Sequence, residues 1–552
     1  MSALDDFFDS YYRLRPVNAT FTGVHEYDER LPDWSPDGLE RAVAEMRAVR
    51  AALESERTQA GLTDVATRDR ELAISFLDLQ IAEHDSLHFE RGNPSLAAGE
   101  ATFGVISLMT RPFASTESRV RSAIARLQAI PRFLEDAARS MRVDIPAPWR
   151  AKTLRECDGA DVLLTTGIRQ WIVTESISPK LADPLTSAAA AARRGFDAFR
   201  NWLSRAADAP ASRTAVGGEF FDLCLARGHW CGRDPRELGR EAGLALEAAL
   251  NDLHARARKA APGGWPEVQQ RLAADHPVLD DYLPSYHRVW EACRQLADER
   301  QLVTWPEYPI RYVPIPAQTR DAAPFLYYLF YRSPAPFDRL PIHDYVVTPI
   351  EPNLDADERN RRLRATNYGV ITLNHVVHHG AIGHHVQNYF AYHGASEVGR
   401  VAAVDCASRI GMFLGGSMAE GWACYATDLM DENGFLSDDV SIAQQHTRAR
   451  LLARAVADIG LHTGTMTYEE AVALYRDRLG MPDDAARGEV CKNSMFPATA
   501  IMYWLGTDGI HRLRRRHAHE CGSLRAFHDR LLSFGSIPVP LIARIWGLEQ
   551  PR

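Results

Sequence analysis

Between residues 374 and 394 the chain reads NHVVHHGAIGHHVQNYFAYHG, which gathers six of its 20 histidines into 21 residues. Imidazole is the commonest side-chain metal ligand and titrates near neutral pH, so the residue types suit metal binding and the spacing decides which could share an ion. His375 and His379 stand at i and i+4, and on a regular helix they face the same way. His378 and His385 also face alike, but seven residues separate them by about 10 Å along a straight helix at ~1.5 Å per residue. They can meet one ion only where the backbone bends, and Gly380 and Gly383 make a bend or bulge sterically cheap. His384 and His385, as neighbours, diverge by about 100°, so a bulge would select one of them. A third ligand is offered by Glu420 in GGSMAEGWACYATDLMDENG, where an acid amid Trp422, Tyr425 and Leu429 needs solvent or a partner. Without an ion, the same residues would form a hydrogen-bonded histidine core, with Glu420 paired to an arginine.

Metal-assisted hydrolysis also needs a donor for the oxyanion, drawn from Tyr, His or Arg. The candidates are Tyr503 in AIMYWLG, His462 in DIGLHTG, and Arg454. Tyr503 reads equally well as a core aromatic. Arg454 and Asp458, one turn apart, read as an i,i+4 ion pair that fixes their helix and could orient a histidine. Tyr312, Tyr327, Tyr328, Tyr331 and Tyr345 suit the walls of a groove where an extended peptide pairs with a strand edge, or a subunit interface.

These residues must be positioned by a mostly helical chain. SPDGLERAVAEMRAVRAALESE offers Ser35 as a cap, Pro36 in the first turn, and Leu39, Val43, Met46, Val49 and Leu53 as one apolar stripe. Leu72, Phe76 and Leu79 repeat the pattern, as do Val120, Ile124 and Leu127. A hinge or loop is expected over 205–218, where Ala, Pro and Gly interrupt the periodicity, and helices resume from about 235 to 300. Over about 302–350 the period changes to short aromatic and β-branched runs punctuated by proline, which predicts a small strand-rich insert. Helices then return. No fixed-period repeat is present. The expected architecture is mainly α: one large two-lobed helical domain over 1–552, around a deep cleft with a small β-sheet at its edge.

A formal charge of -9, with 46% hydrophobic and 24% charged residues, is that of an ordinary soluble protein and excludes nucleic acid as an expected partner. The basic stretch HRLRRRHAHE, 511–520, reads as a solvated helix end. MSALDDFFDSYYRLRP carries acids where a secretory signal has a basic region, and no run approaches the roughly 18 apolar residues of a membrane span. Eight cysteines without a CxxC pair argue against a cysteine zinc site and a disulfide framework. A cytoplasmic location and no membrane partner are therefore expected; the oligomeric state is open.

HHGAIGHH (378–385) and EGWACY (420–425) resemble the two motifs of the bacterial DUF885 family, His-Glu-x-x-Pro-Gly-His-His and, downstream, Glu-Gly-Trp-Ala-x-Tyr. Further stretches are similar along essentially the whole chain, among them RPVNATFTGVHEYDERLPDWS (15–35) and FPATAIMYWLG (496–506). Family members look like zinc metallopeptidases of the gluzincin type, which implies a zincin-like fold and one zinc ion held by His378, His384 and Glu420, with a fourth position for water. His385 is then an alternate ligand or a donor standing behind the ligands, and His375 with His379 and Glu420 is the competing set from regular helix geometry. Two departures stand out: His379 replaces the motif glutamate and Ile382 the proline. The glutamate moves the proton in such hydrolases, so His379 becomes either a substitute base or a fourth ligand that closes the site. The resemblance implies a metal-dependent hydrolase of peptides or small amides. The alternatives are a catalytically impaired relative serving as a binding or structural module, and a metallohydrolase of a non-peptide amide or ester.

Overall fold

The computed structural model describes residues 2–57, 61–142, 144–326, 335–338, 343–404 and 408–547. Among these the chain is mainly α-helical, with one two-stranded sheet. It divides into two compact units, one comprising the residues up to Val216 with 315–326 and 335–338, the other 217–314 and the described residues from 343 onward. The boundary falls within the segment rich in Ala, Pro and Gly, which carries a short 3-10 turn at Ala211–Thr214.

The first unit is built from amphipathic helices that bury their stripes. Ser35 caps Pro36–Ser55 by accepting from the Gly38 amide at 3.1 Å, and Leu39, Val43, Met46 and Leu53 are buried beneath it. Leu72, Phe76 and Leu79 are buried in Val65–Ser86, as are Val120 and Leu127 in Thr116–Ser140. The stretch 15–35 wraps around Arg126, which is fully buried yet completely bonded. Its guanidinium donates to the carbonyls of Pro16, Tyr27, Arg30 and Gly104 and to the hydroxyls of Thr20 and Ser107, at 2.7–3.3 Å. The role of this family-like stretch is thus structural, since its carbonyls solvate a buried cation.

The second unit carries the histidines. Its relevant elements are α1 (Tyr282–Glu299), β1 (Ile310–Pro314), β2 (His343–Val347), a π-helix (Ile371–Gly380), α2 (His384–His393), α3 (Gly416–Glu432), α4 (Asp438–Thr463), α5 (Asp483–Met495) and α6 (Met502–His517). β1 and β2 pair in parallel, Ile310 opposite His343 through Pro314 opposite Val347, as strands joined by a long connection can. Tyr312 and Tyr345 face each other across this pair and are both buried. Tyr327, Tyr328 and Tyr331 lie outside the described residues. α3 passes α6 so closely that a Cβ on Gly506 would stand 1.9 Å from the Ser417 carbonyl oxygen, and one on Gly421 2.5 Å from the Gly506 backbone. Gly421 of EGWACY is therefore a packing requirement, as is Gly506 of YWLG.

A histidine and glutamate cluster as candidate metal centre

The bend that the spacing required is present. Residues 371–380 form a π-helix, whose wider turn changes which side chains align. The chain then leaves helical geometry at Ala381 and Gly383 and restarts as α2 at His384. The Gly383 amide donates to the Val377 carbonyl at 2.9 Å, and a Cβ on Gly383 would stand 1.8 Å from the His378 carbonyl oxygen. Only glycine fits this turn. Two indoles pin its carbonyls: Trp290 Nε1 donates to Gly380 at 2.9 Å and Trp422 Nε1 to Ile382 at 2.8 Å. Trp422 follows Glu420 by two residues, so EGW joins a site residue to the clamp that shapes the site. Sequence reasoning missed both clamps. A tryptophan within a motif, its ring N–H in need of an acceptor, was the available signal.

The turn brings His378, His379 and His384 together, each with a ligand atom within 4.8 Å of the others. Glu420 projects from α3 so that one oxygen lies 3.4 Å from His378 Nε2 and 3.6 Å from His384 Nε2. Ligand atoms about 2.0–2.2 Å from a tetrahedral zinc stand roughly 3.3–3.6 Å apart, so these spacings fit such an ion. The protonation states fit as well. Burial would raise the Glu420 carboxyl, but His384 and His378 beside it hold it well below the usual range. Burial pushes His378 down and His379 well down, the latter helped by its histidine neighbours. An ionised carboxylate beside the neutral imidazoles of His378 and His379 is the state in which those groups can accept a divalent cation. His379 Nδ1 faces the Asn374 carbonyl at 2.6 Å, so its proton sits there and Nε2 keeps the lone pair.

The other candidates lie apart from this arrangement. His375 bonds through Nδ1 to the Tyr345 hydroxyl at 2.6 Å, and burial lowers its pKa to about 4. His385 is buried with both nitrogens engaged, Nδ1 against His343 Nδ1 at 3.1 Å and Nε2 against the Tyr308 carbonyl at 2.9 Å. His462 is buried in α4, stacked on Phe221, with Nε2 3.0 Å from the Asn493 carbonyl and 3.7 Å from Asp458. Tyr503 lies under the Arg454 guanidinium, 5.1 Å from ring centre to Cζ.

The expected Arg454–Asp458 pair is corrected. Arg454 makes two bonds to Glu489 of α5, at 2.9 and 2.7 Å, while Asp458 accepts from the Ala498 and Ile501 amides at 3.0 and 2.9 Å. A two-pronged guanidinium–carboxylate bond and two amide donors satisfy these groups better than a single i,i+4 contact.

No curated protein matches the chain. Among solved structures it is similar to a candidate lipoprotein of unknown function from Shewanella oneidensis, with a TM-score of 0.76 and 20% identity over 99% of this chain and 98% of that one. It is also similar to a candidate lipoprotein from Colwellia psychrerythraea, with a TM-score of 0.75 and 15% identity over 98% and 97%. These likenesses establish a shared fold. They also overturn the expected cytoplasmic location and the expected lack of a membrane partner, because proteins of this fold are described as lipoproteins. The expectation failed for a physical reason. Charge, cysteine usage and hydropathy describe the folded body, whereas a lipid tether acts from outside it. Among the described residues no helix is long and apolar enough to cross a membrane, which leaves a tether untouched. The match to the family described as bacterial proteins of unknown function extends over residues 16–545, and the chain belongs to that family, DUF885.

Proposed function

We propose that the protein is a zincin-like, metal-dependent hydrolase of peptides or small amides, with one divalent ion, zinc by preference, held by His378, His384 and Glu420. The observation that carries this reading is the convergence of two imidazoles on one Glu420 oxygen at the spacing of zinc ligands. Bound zinc supplies Lewis-acid activation of a water and of the substrate carbonyl. His379 stands in for the family glutamate: with Nδ1–H directed at Asn374, its Nε2 accepts the proton of the attacking water and passes it to the departing amine. Tyr503 is the oxyanion donor. His462, sunk against Phe221, is a positioning residue acting through Asp458 and Asn493. The deep cleft expected from the sequence belongs to the same proposal. The likeness to two candidate lipoproteins supports attachment to a membrane surface.

A second reading rests on His379 belonging to the same nitrogen cluster as His378 and His384. As a fourth ligand it would close the coordination sphere with three histidines and a carboxylate, leaving a metal-binding module with little or no turnover. Elemental analysis of protein purified without chelator, followed by a peptide-library digest with and without zinc, separates the two. Turnover abolished in Glu420→Gln supports the hydrolase. One ion per chain without turnover, with affinity falling as far in His379→Ala as in His378→Ala, supports the closed site. Absence of bound metal overturns both, and a large loss in His375→Ala with little in His384→Ala overturns the ligand set.

A further inference from the structure

α4 carries two arginines one turn apart, Arg450 and Arg454. Arg454 takes both oxygens of Glu489 and lies over the Tyr503 ring. Arg450 stands near the same Glu489 and Tyr503, but that carboxylate is already occupied. Among the described residues Arg450 has neither a hydrogen bond nor an ion pair, and its Nε is buried without a partner. Guanidinium does not escape by losing its proton at any ordinary pH. Two cations, Arg450 and Arg454, thus share one anion, which is an unfavourable arrangement in a partly buried setting. Tyr503, which Arg454 covers, stands one turn before Gly506 and Thr507, and these pack on Gly421, the neighbour of Glu420. The missing anion therefore belongs where α4 and α6 meet the helix that carries Glu420.

The geometry points to Arg450 as the anchor for a substrate carboxylate, specifically the C-terminal carboxylate of a peptide, whose planar oxygens match the guanidinium fork. The inference rests on the reading that the His378, His384 and Glu420 site acts on peptides, and it names the substrate class: chains that end next to the site. Hydrolysis adds water across the C–N bond, hydroxyl to the acyl carbon and proton to the departing nitrogen. The fragment held by Arg450 accordingly leaves as an amino acid or short peptide, which makes the activity an exopeptidase one.

The test is calorimetric titration of chelator-treated full-length protein with N-acetyl-Ala-Phe-Ala and with its C-terminal amide. The acid is expected to bind about 10- to 100-fold more tightly. Arg450→Gln should abolish that preference without lowering Tm, because no native partner is lost, and Arg450→Lys should restore part of it. Equal affinity of the wild type for acid and amide overturns the inference, as does a preference that persists in folded Arg450→Gln. Binding is measured without metal, so failure of the hydrolase reading registers separately, as absence of metal or turnover alongside an intact preference for the acid.

Discussion

Arg126 in the first unit and Arg450 in the second are both arginines drawn into the protein, and they are treated in opposite ways. Arg126 is surrounded by six acceptors, four of them backbone carbonyls. No counter-ion is needed, because oxygen dipoles spread over all three nitrogens replace its water. Burial still lowers its pKa to about 10, which leaves it charged at neutral pH. Arg450 has no such shell. A saturated buried ion is architecture, since nothing remains for a ligand to satisfy. An unsaturated one beside a metal-type cluster is a group kept in reserve.

The contrast is broken most decisively at Arg126. Arg126→Met removes one side chain and strands several buried acceptors at once, so it should cost about 3–5 kcal/mol of stability, read as a fall in Tm or in urea midpoint. Arg450→Gln should cost nothing by the same measurement. A small loss at Arg126 would show that its acceptors are reached by water and would remove the contrast.

Next in size is Gly383→Ala. The added methyl meets the His378 carbonyl oxygen at 1.8 Å, so the turn must open. A loss of about 1–3 kcal/mol is expected, with metal affinity reduced at least about 10-fold, because the turn is what places His384 near His378. Unchanged affinity by competition with a chelating dye would show that the cluster does not depend on the turn.

How much of this was legible beforehand follows from the kind of interaction involved. The helices were, since Leu39, Val43, Met46 and Leu53 record burial in their spacing. So was the need for a bend between His378 and the second histidine pair, because helix rise is fixed and the glycines are visible. The π-helix was not, since i+5 bonding leaves no periodicity that ten residues can display. Nor was the choice of partner for Arg454: Glu489 lies 35 residues on, and only tertiary packing makes it nearer than Asp458. Arg450 is hidden in the sequence for the same reason, because an arginine's lack of a partner becomes visible only once every neighbour is in place.

A pH measurement sharpens the contrast from the first unit's side. His25 lies between Asp28 at 2.9 Å and Asp338 at 2.6 Å, stacked on Phe113 with ring centres 3.9 Å apart. Burial pulls its pKa down, but the two carboxylates win and raise it from 6.5 to about 9. A folded-state value above the unfolded one means that the protonated ring stabilises the fold. That contribution is complete below about pH 6.5 and is lost as pH rises through 9. Because the ring is partly exposed, the contribution should be on the order of 1–2 kcal/mol. The difference in urea midpoint between wild type and His25→Gln should shrink from about pH 6 to about pH 10, and a constant difference would mean the ring is neutral in the folded protein.

The smallest effect is expected at Tyr312. Its hydroxyl is buried and, among the described residues, has no partner, whereas the facing Tyr345 bonds His375 at 2.6 Å. An unmade hydrogen bond has already cost its desolvation in the folded state, so Tyr312→Phe removes a penalty and nothing else. Its stability should be unchanged or higher by up to about 1 kcal/mol, while Tyr345→Phe, which removes the bond to His375 Nδ1, should lose about 1 kcal/mol. The pair tests the logic applied to Arg450, that an unpartnered polar group can be deleted without structural loss. It also separates two uses of an unpartnered group. If Tyr312→Phe leaves both Tm and the preference for acid over amide intact, the hydroxyl is a plain packing defect. A weaker preference at unchanged Tm would extend the carboxylate site from α4 to β1. A marked fall in Tm would mean that the hydroxyl is solvated, and the inference from unsatisfied groups to binding would then lose its footing in this unit.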